Sequence, residues 1–550
     1  MLAGVVVDLA VWGLNKELTY RVPGRLAEHV RVGTLVRVPL KNRRVRGWVV
    51  GVYADEANGP ELADVAALSG RAAVFDEALL RMAQELARHY VQPLSSFLSL
   101  FTPVRLGRRI AAKEPAVYPH QSKPPELWRL GPGEDPVERY TRIVEADLSR
   151  RLGTIIAVPE VRQGSRVLQE LAERFGDQAA VVHTGVDAKP RSEALWDVAT
   201  GERSVVLGGR SAIFVPPLPT GHIVLHQEDD PSYKHQQAPY FDARLAALKR
   251  AAATGASVLL ASATPSLETE YTAGDSWRRT EPDRLTERRM WPVVELVDPQ
   301  YRGLPQRAIA CVLAAFRNGQ RSVILVPRIQ ATAAGPGPQE LTELVAKVLP
   351  KATVSRVDRA SLAQDPRGLR SALQADVVIA TEAGLADVAR PAFDTAVALG
   401  VDAYLQRPKG RAAQETVQML WALAGMVSGR RPRGRLVVEV TDSGHHVVEA
   451  LVRGDYRYFV RSELRRRREE LAPPFKTLVR LQTGADPPAE LLDELRRLSG
   501  TRVLGPVQGG SLGAEILLKV DDYRTIVEDL GSIVSGAGRR VLVEVDPRDW

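Results

Sequence analysis

The chain has 550 residues, 45% hydrophobic and 25% charged, and 74 Lys and Arg against 66 Asp and Glu give it a formal charge of +8. That length predicts several domains of roughly 100–150 residues, and no apolar run reaches the ~18 residues that mark a membrane span. The single cysteine, Cys311, excludes a disulfide framework and a thiolate-clustered zinc or iron–sulfur site, and the basic balance favours polyanionic partners. At the N-terminus no basic segment precedes the apolar residues and Asp8 interrupts them, so the segment reads as a strand and the expected compartment is the cytoplasm.

In chain order, VVVDLAV, TLVRVPL and RGWVVGVY are short alternating or apolar runs bounded by Gly, Pro or charge, the pattern of strands. Helical spacing follows over 76–101, with Asp76 as its cap. Residues 1–105 are expected to form a small β domain. Dense Pro, Gly and charge predict a linker over 106–136. TIIAVPE, RVLQELAERF, AAVVHTG, SVVLGGRSAIF, HIVLHQEDD, ARLAALKRAAA and SVLLASATP then alternate strand and helix, predicting a parallel α/β lobe over 137–285. SVILVPR, ELTELVAKVL, TVSRVD, SLAQDPRGLRSALQ, DVVIATE, AVALGVD, TVQMLWALAGMV and LVVEV predict a second lobe over 286–449. The remainder, 450–550, mixes helices with strands such as TLVRLQT, AEILLKV and VLVEVDP and predicts a small α+β domain.

Particular motifs add to this pattern. Val158-Pro159-Glu160, His183-Thr184-Gly185, GGRSAIFVPP at 208–217, Pro231-Ser232-Tyr233-Lys234 and SATPSLE at 262–268 occur in that order. VSRVDR follows at 354–359, then LAPPF at 471–475, VLGPV at 503–507 and EVDP at 544–547. Together with ELTYRVP, VGTLVRVPL and RGWVVGV near the start, the series resembles the PriA family of superfamily 2 helicases over nearly the whole chain. The resemblance implies a multidomain α/β fold: a small N-terminal β domain that grips a 3′ DNA end at a fork, two tandem helicase-like (RecA-like) parallel-sheet lobes, and a small C-terminal α+β domain. The family's winged-helix domain finds too little sequence between 106 and 136.

The departures concern the motor. A phosphate-cradling loop needs Gly for close approach, Lys for the phosphates and a hydroxyl for Mg²⁺. Before TIIAVPE the chain offers only GPGEDPVERYTRIVEADLSRRLG, without Gly-Lys-Thr or Gly-Lys-Ser. The family's Asp-Glu pair, which serves metal and attacking water, falls on His226 and Gln227, with Glu228, Asp229 and Asp230 displaced beyond it. Its last-motif Gln and two arginines fall on Ala422, Met426 and Gly429. The cysteine-rich zinc insertion is replaced by VPRIQATAAGPGPQEL. The expected protein therefore has no catalytic residues and no cofactor; ATP enters only under the alternative of a 3′-to-5′ helicase with a rebuilt site, and neither zinc nor a metal at His226 is expected.

For DNA, the resemblance points to Leu18, Thr19 and Tyr20 as the 3′-end triplet, with Thr19 in place of an acid, and to Gly33 as the small residue beside it. Arg37, Lys41, Arg43, Arg44 and Arg46 are candidate phosphate contacts on a basic turn, where a solvated hairpin tip is the alternative. Arg210, after Gly208-Gly209, is a candidate strand contact or a plain turn residue. Arg465 to Arg468 are either a solvated face with pairs such as Arg465–Glu469 or a DNA-backbone contact. SATPS, lacking a nucleotide, is expected to shape the turn after its strand. The expected role is replication restart within a primosome: binding stalled or branched forks and helping to load the replicative helicase or its loader, with no membrane partner.

Overall fold

In the computed structural model the strands gather into four sheets. The structure describes residues 1–9, 12, 15–41, 43–54, 62–70, 72–103, 118, 123–159, 165–183, 185–300, 304–327, 337–358, 360–361, 369–382, 392–430, 432–484, 486–508, 513–537 and 541–550. Glu160, Thr184, Arg359, half of the helix expected over SLAQDPRGLRSALQ (362–368) and residues 328–336 at the place of the zinc insertion lie outside the described residues.

The first sheet is antiparallel, in the order β2-β1-β4-β3-β5, from β1 (Leu2–Val7), β2 (Leu18–Arg21), β3 (Leu35–Leu40), β4 (Arg43–Tyr53) and β5 (Ala67–Ser69). Two-residue periodicity sends alternate side chains of a strand to opposite faces. Ala3, Val5 and Val7 join Tyr20, Val36 and Val38 on one side, while Val6, Leu35 and Trp48 pack the other way. That second face meets helix Glu77–His89, whose first turn is capped by Asp76 accepting from the Leu79 amide at 3.0 Å.

The second sheet runs β12-β6-β11-β10-β7-β9-β8 with every pairing parallel. Its strands are β6 (Glu126–Arg129), β7 (Gly153–Ala157), β8 (Ala179–Val182), β9 (Val205–Gly208), β10 (Thr220–His226), β11 (Ser257–Ser262) and β12 (Arg278–Thr280). Strand β6 lies inside the segment expected to be a linker, so the lobe begins by Glu126. The five residues between Pro125 and Gly131 are too few to display a period, yet Leu127 and Trp128 are buried.

The third sheet is also parallel, β13-β18-β17-β14-β16-β15, from β13 (Val293–Val297), β14 (Ser322–Leu325), β15 (Val354–Val357), β16 (Val377–Ala380), β17 (Thr395–Ala398) and β18 (Arg435–Glu439). This lobe extends past 449. Helices His446–Arg453 and Tyr456–Glu469 bury Val447, Leu451, Tyr456 and Phe459 in its core, beside Trp421 and Val438.

The fourth sheet is antiparallel, β20-β21-β19-β22, from β19 (Thr477–Thr483), β20 (Thr501–Gln508), β21 (Ala514–Val520) and β22 (Val541–Val545). Its apolar face, with Leu518, Val543 and helix residues Ile526 and Leu530, is continuous with the core around the N-terminal helix. Tyr523 Oη donates to the His89 carbonyl at 2.6 Å, and Gln92 Nε2 to the Val543 carbonyl at 2.9 Å. The two ends of the chain are therefore packed against each other. No helix among the described residues is long and apolar enough to cross a membrane.

Candidate functional site

The basic turn is the tip of a β-hairpin. Leu40 pairs with Arg43 at the end of the β3–β4 ladder, and Lys41 has the positive φ of 52° that tight hairpin turns favour. Arg37 stands opposite Arg46, and Pro39 opposite Arg44, so the three arginines share one face of the ribbon. Arg37, Lys41, Arg43 and Arg44 are exposed. Arg46 is not free in the same way: its guanidinium is ion-paired to Asp8.

The 3′-end triplet divides. Thr19 is exposed on edge strand β2, but Tyr20 is 5% exposed and its hydroxyl donates to the Pro39 carbonyl at 3.0 Å, so its ring belongs to the core. Leu18 is half-buried against that core. Gly33 is buried, with φ of 86°, and a Cβ there would fall 1.7 Å from the Phe75 carbonyl oxygen. Packing of the chain upon itself accounts for this glycine, without a ligand. A feature missed in the sequence lies beside Thr19, where Gly4 pairs with Thr19 on one side and Gly51 on the other. Over these glycines lies an exposed pair, Glu17 accepting from Tyr53 Oη at 2.7 Å. Tyr53 is 47% exposed, a ring on which a base could stack. Glycines within a strand were the signal for it.

The place of the family's phosphate loop is the turn 130–136 between β6 and helix Val137–Ser149. Glu134 Oε2 accepts from the Gly131 amide at 2.8 Å and Asp135 Oδ1 from the Val137 amide at 3.0 Å. Asp135 is also held by Arg166 at 3.1 and 3.2 Å. Burial alone would raise the Asp135 carboxyl, but Arg166 and the Val137 amide hold it below the ordinary range. Backbone amides at a loop-to-helix turn attract phosphate. Here the loop's own carboxylates take amides of the turn and would repel a triphosphate. The described residues of this turn do not fit the phosphates of a nucleotide.

The loop opens on a cleft of about 430 Å³ between the lobes, lined also by His226, Gln227, Asp229, Asp230 and Ala422. His226 is 6% exposed; its Nδ1 lies 3.0 Å from Tyr140 Oη, and Tyr140 stacks edge-on with Trp128. The imidazole thus continues an aromatic core. Gln227 takes φ of 49°, a strained conformation for a non-glycine residue. Glu228 is fully buried, accepting from the Ser266 amide at 2.6 Å, Ser266 Oγ at 3.0 Å and Thr269 Oγ1 at 2.9 Å. Asp229 accepts from Ser262 Oγ at 2.5 Å and Thr264 Oγ1 at 2.8 Å. Burial, then the neighbouring Glu228, pushes the Asp229 carboxyl up to about 7. SATPS therefore holds these two acids in addition to turning the chain. Among the described residues no group of three or more His, Cys, Asp or Glu could hold a metal ion.

Across the cleft, the last-motif positions do not converge. Ala422 faces the cleft, Met426 is fully buried in the lobe core, and Gly429 sits on an exposed turn with φ of 71°. Arginines that do line the cleft, Arg407 and Arg548, were missed; they stand within 3.3–3.7 Å of Glu382 and Glu415. Arg210 Nη1 donates to the Ser232 carbonyl at 3.0 Å, tying its loop to the Pro-Ser-Tyr-Lys turn. Tyr233 Oη in that turn donates to the Ala157 and His226 carbonyls at 2.9 and 2.7 Å, and buried Lys234 reaches the Val545 carbonyl at 2.5 Å.

The lobes are bolted by charge. Glu268 of the first lobe accepts from Arg411 at 2.8 Å and stands 3.5 Å from Arg467. Arg467, fully buried, also reaches Glu463 at 3.0 Å and Gln414 at 3.1 Å. Burial would raise the Glu268 carboxyl, but Arg411, Arg467 and Arg244 hold it down at about 2. In the arginine run, Arg466 rather than Arg465 pairs with a trailing acid, reaching Glu470 at 2.7 Å, and it also meets Glu463, ahead of the run, at 2.6 Å. The expected Arg465–Glu469 pair is not formed, because the helix turns Arg466 and Arg467 towards Glu463.

The sequence profile described as the 3'DNA-binding domain (3'BD) of PriA matches residues 4–103. Replication restart protein PriA of Treponema pallidum (strain Nichols) is 24% identical, over 97% of this chain and 98% of its own. That of Bacillus subtilis (strain 168) is 24% identical over 68% of this chain and 56% of its own. Among solved structures, RecG bound to a three-way DNA junction aligns with 71% of this chain and 46% of its own at 14% identity, with a TM-score of 0.42, a likeness too loose to build on.

Proposed function

The chain being a divergent relative of the replication restart proteins PriA, we propose that it acts in replication restart by holding branched or stalled-fork DNA without an ATP-driven motor. The observation that carries this reading is the contrast between its two candidate sites. The N-terminal domain, matched as a 3′ DNA-binding domain over 4–103, presents Arg37, Lys41, Arg43 and Arg44 to solvent on one hairpin. In the cleft, Glu134 and Asp135 occupy amides of the phosphate turn. Cations on a protruding ribbon displace counterions from a DNA backbone, and the exposed Tyr53 ring beside Thr19 supplies a surface for a terminal base.

The lobes then serve as scaffold. The buried charges at their seam and the packing of the C-terminal sheet on the N-terminal helix support a fixed arrangement, and other primosome proteins, the replicative helicase or its loader are the partners such a scaffold would recruit in the cytoplasm. The alternative, a 3′-to-5′ helicase with a rebuilt site, lacks a phosphate cradle among the described residues. The reading is tested by fluorescence anisotropy with forked DNA across a salt series. Binding that weakens steeply with salt is expected, and Arg43→Ala with Arg44→Ala should lower the slope of log K against log salt by roughly 2, at ~0.9 per phosphate contact. No binding to forked DNA at low salt would refute it.

A further inference from the structure

Helix Tyr456–Glu469 turns Tyr456, Phe459, Val460, Glu463 and Arg467 inward. Its outward positions 457, 461, 465 and 468 are all arginine and all exposed. Spacings of four, four and three residues keep them on one face, a row about 16 Å long at 1.5 Å per residue. At the near end Arg457 is offset by Glu281 at 2.7 Å, and the adjoining Arg284, 86% exposed on its side chain, by Asp455 at 3.2 Å. At the far end Arg468 lies over the Phe475 ring, 4.8 Å from its centroid, which Tyr271 also covers. Arg461 and Arg465 have no ion pair among the described residues, while the acids nearest in sequence are engaged elsewhere: Glu463 by Arg466, Arg467 and His446, Glu470 by Arg466. Glu469, four residues after Arg465 and exposed, is the one acid on this face of the helix, against four arginines.

We infer that this arginine row is a second DNA-binding surface, which takes the phosphate backbone of a duplex arm, separate from the N-terminal hairpin. It rests on the DNA-binding reading given above. A straight row of guanidinium groups on a convex helix matches a run of phosphates, and 16 Å corresponds to about five base-pair steps at ~3.4 Å each. Single strands are usually held on a succession of exposed aromatic platforms; here Phe475 is covered by Arg468 and Tyr271, Tyr458 is engaged by Glu449 and Arg453, and Tyr271, 47% exposed, is a single ring at one end of the row. Duplex is therefore the occupant. The surface lies where the second lobe meets the C-terminal sheet, since Lys519 Nζ donates to the Glu470 carbonyl at 3.0 Å.

The test uses the full chain and two probes: a forked DNA with a free 3′ end, and a dumbbell duplex closed by hairpin loops that has no end. Arg461→Ala with Arg465→Ala should weaken dumbbell binding about tenfold near 0.15 M salt and lower the salt slope by roughly 2, while Arg461→Lys with Arg465→Lys keeps the slope. Arg43→Ala with Arg44→Ala should weaken fork binding more than dumbbell binding. Unchanged dumbbell affinity and slope in the alanine variant would overturn the second surface and leave fork binding standing, and so would equal loss in the alanine and lysine variants at unchanged thermal midpoint. Failure of the unaltered protein to bind either probe would overturn both readings.

Discussion

Replacing Glu268 by Gln removes the one negative charge shared by Arg411 and Arg467 across the lobe seam, while keeping nearly the same shape. Arg467 is fully buried and Arg411 only 14% exposed on its side chain, so neither can turn to water without movement of the lobes. Breaking a buried pair by removing one partner typically costs about 3–5 kcal/mol. The fall of the Glu268 carboxyl from 4.5 to about 2 gives a second figure of about 3.5 kcal/mol at ~1.4 kcal/mol per pH unit; discounted for the quarter of the side chain that is exposed, about 2–3 kcal/mol is expected. The sign follows from linkage: a carboxyl held low in the folded state stabilises above its unfolded value, and that contribution is lost as pH falls from about 4.5 towards 2. Urea titrations of both proteins should therefore show a deficit of about 2–3 kcal/mol at pH 7.5 that shrinks below about pH 4.5. A deficit under about 0.5 kcal/mol at pH 7.5, or one that grows towards acid, would refute the bolt between the lobes.

The Asp229 carboxyl behaves in the opposite sense. Raised to about 7 by burial and by Glu228, it favours the folded state below about pH 4 and loses that contribution as pH rises through 7, so Asp229→Asn should flatten the decline of the thermal midpoint between pH 4 and 7; an unchanged decline would assign it to other groups. Gly33→Ala places a methyl against the Phe75 carbonyl at a left-handed φ, and a loss of about 2 kcal/mol or more is expected in thermal melts of the protein. Tyr140→Phe removes the partner of His226 Nδ1 and should cost about 1–3 kcal/mol, read from urea midpoints.

Much of the architecture could be read from patterns that burial imposes directly. The alternation of Val5, Val6 and Val7, the Asp76 cap, and the strands around TIIAVPE and HIVLH all appear where apolar period and capping chemistry place them. Strand Glu126–Arg129 was hidden because four residues between prolines and glycines carry no period. The end of the second lobe was misplaced at 449 because an arginine-rich helix, Tyr456–Glu469, buries only one narrow side. The sites were legible by residue type more than by role. The exposed hairpin cations lie where sequence put them, but Tyr20 and Gly33 serve the fold, and Arg46 and Arg210 have internal partners. Sequence displayed the missing Gly-Lys-Thr; only geometry could display Glu134 and Asp135 turned onto the amides of their own loop. The bolt through Glu268, Arg411 and Arg467 joins residues about 200 positions apart, a coupling no local pattern records.

The most direct test of the central claim is ATP hydrolysis by the full chain, with and without forked DNA at concentrations where anisotropy in the same samples reports the fork as bound. A fork-bound protein whose turnover stays at the level of the DNA-free sample is the predicted result, because carboxylates stand at the phosphate turn. Turnover stimulated by the fork, and abolished by substitutions at Arg166 or Arg407 in the cleft, would contradict it.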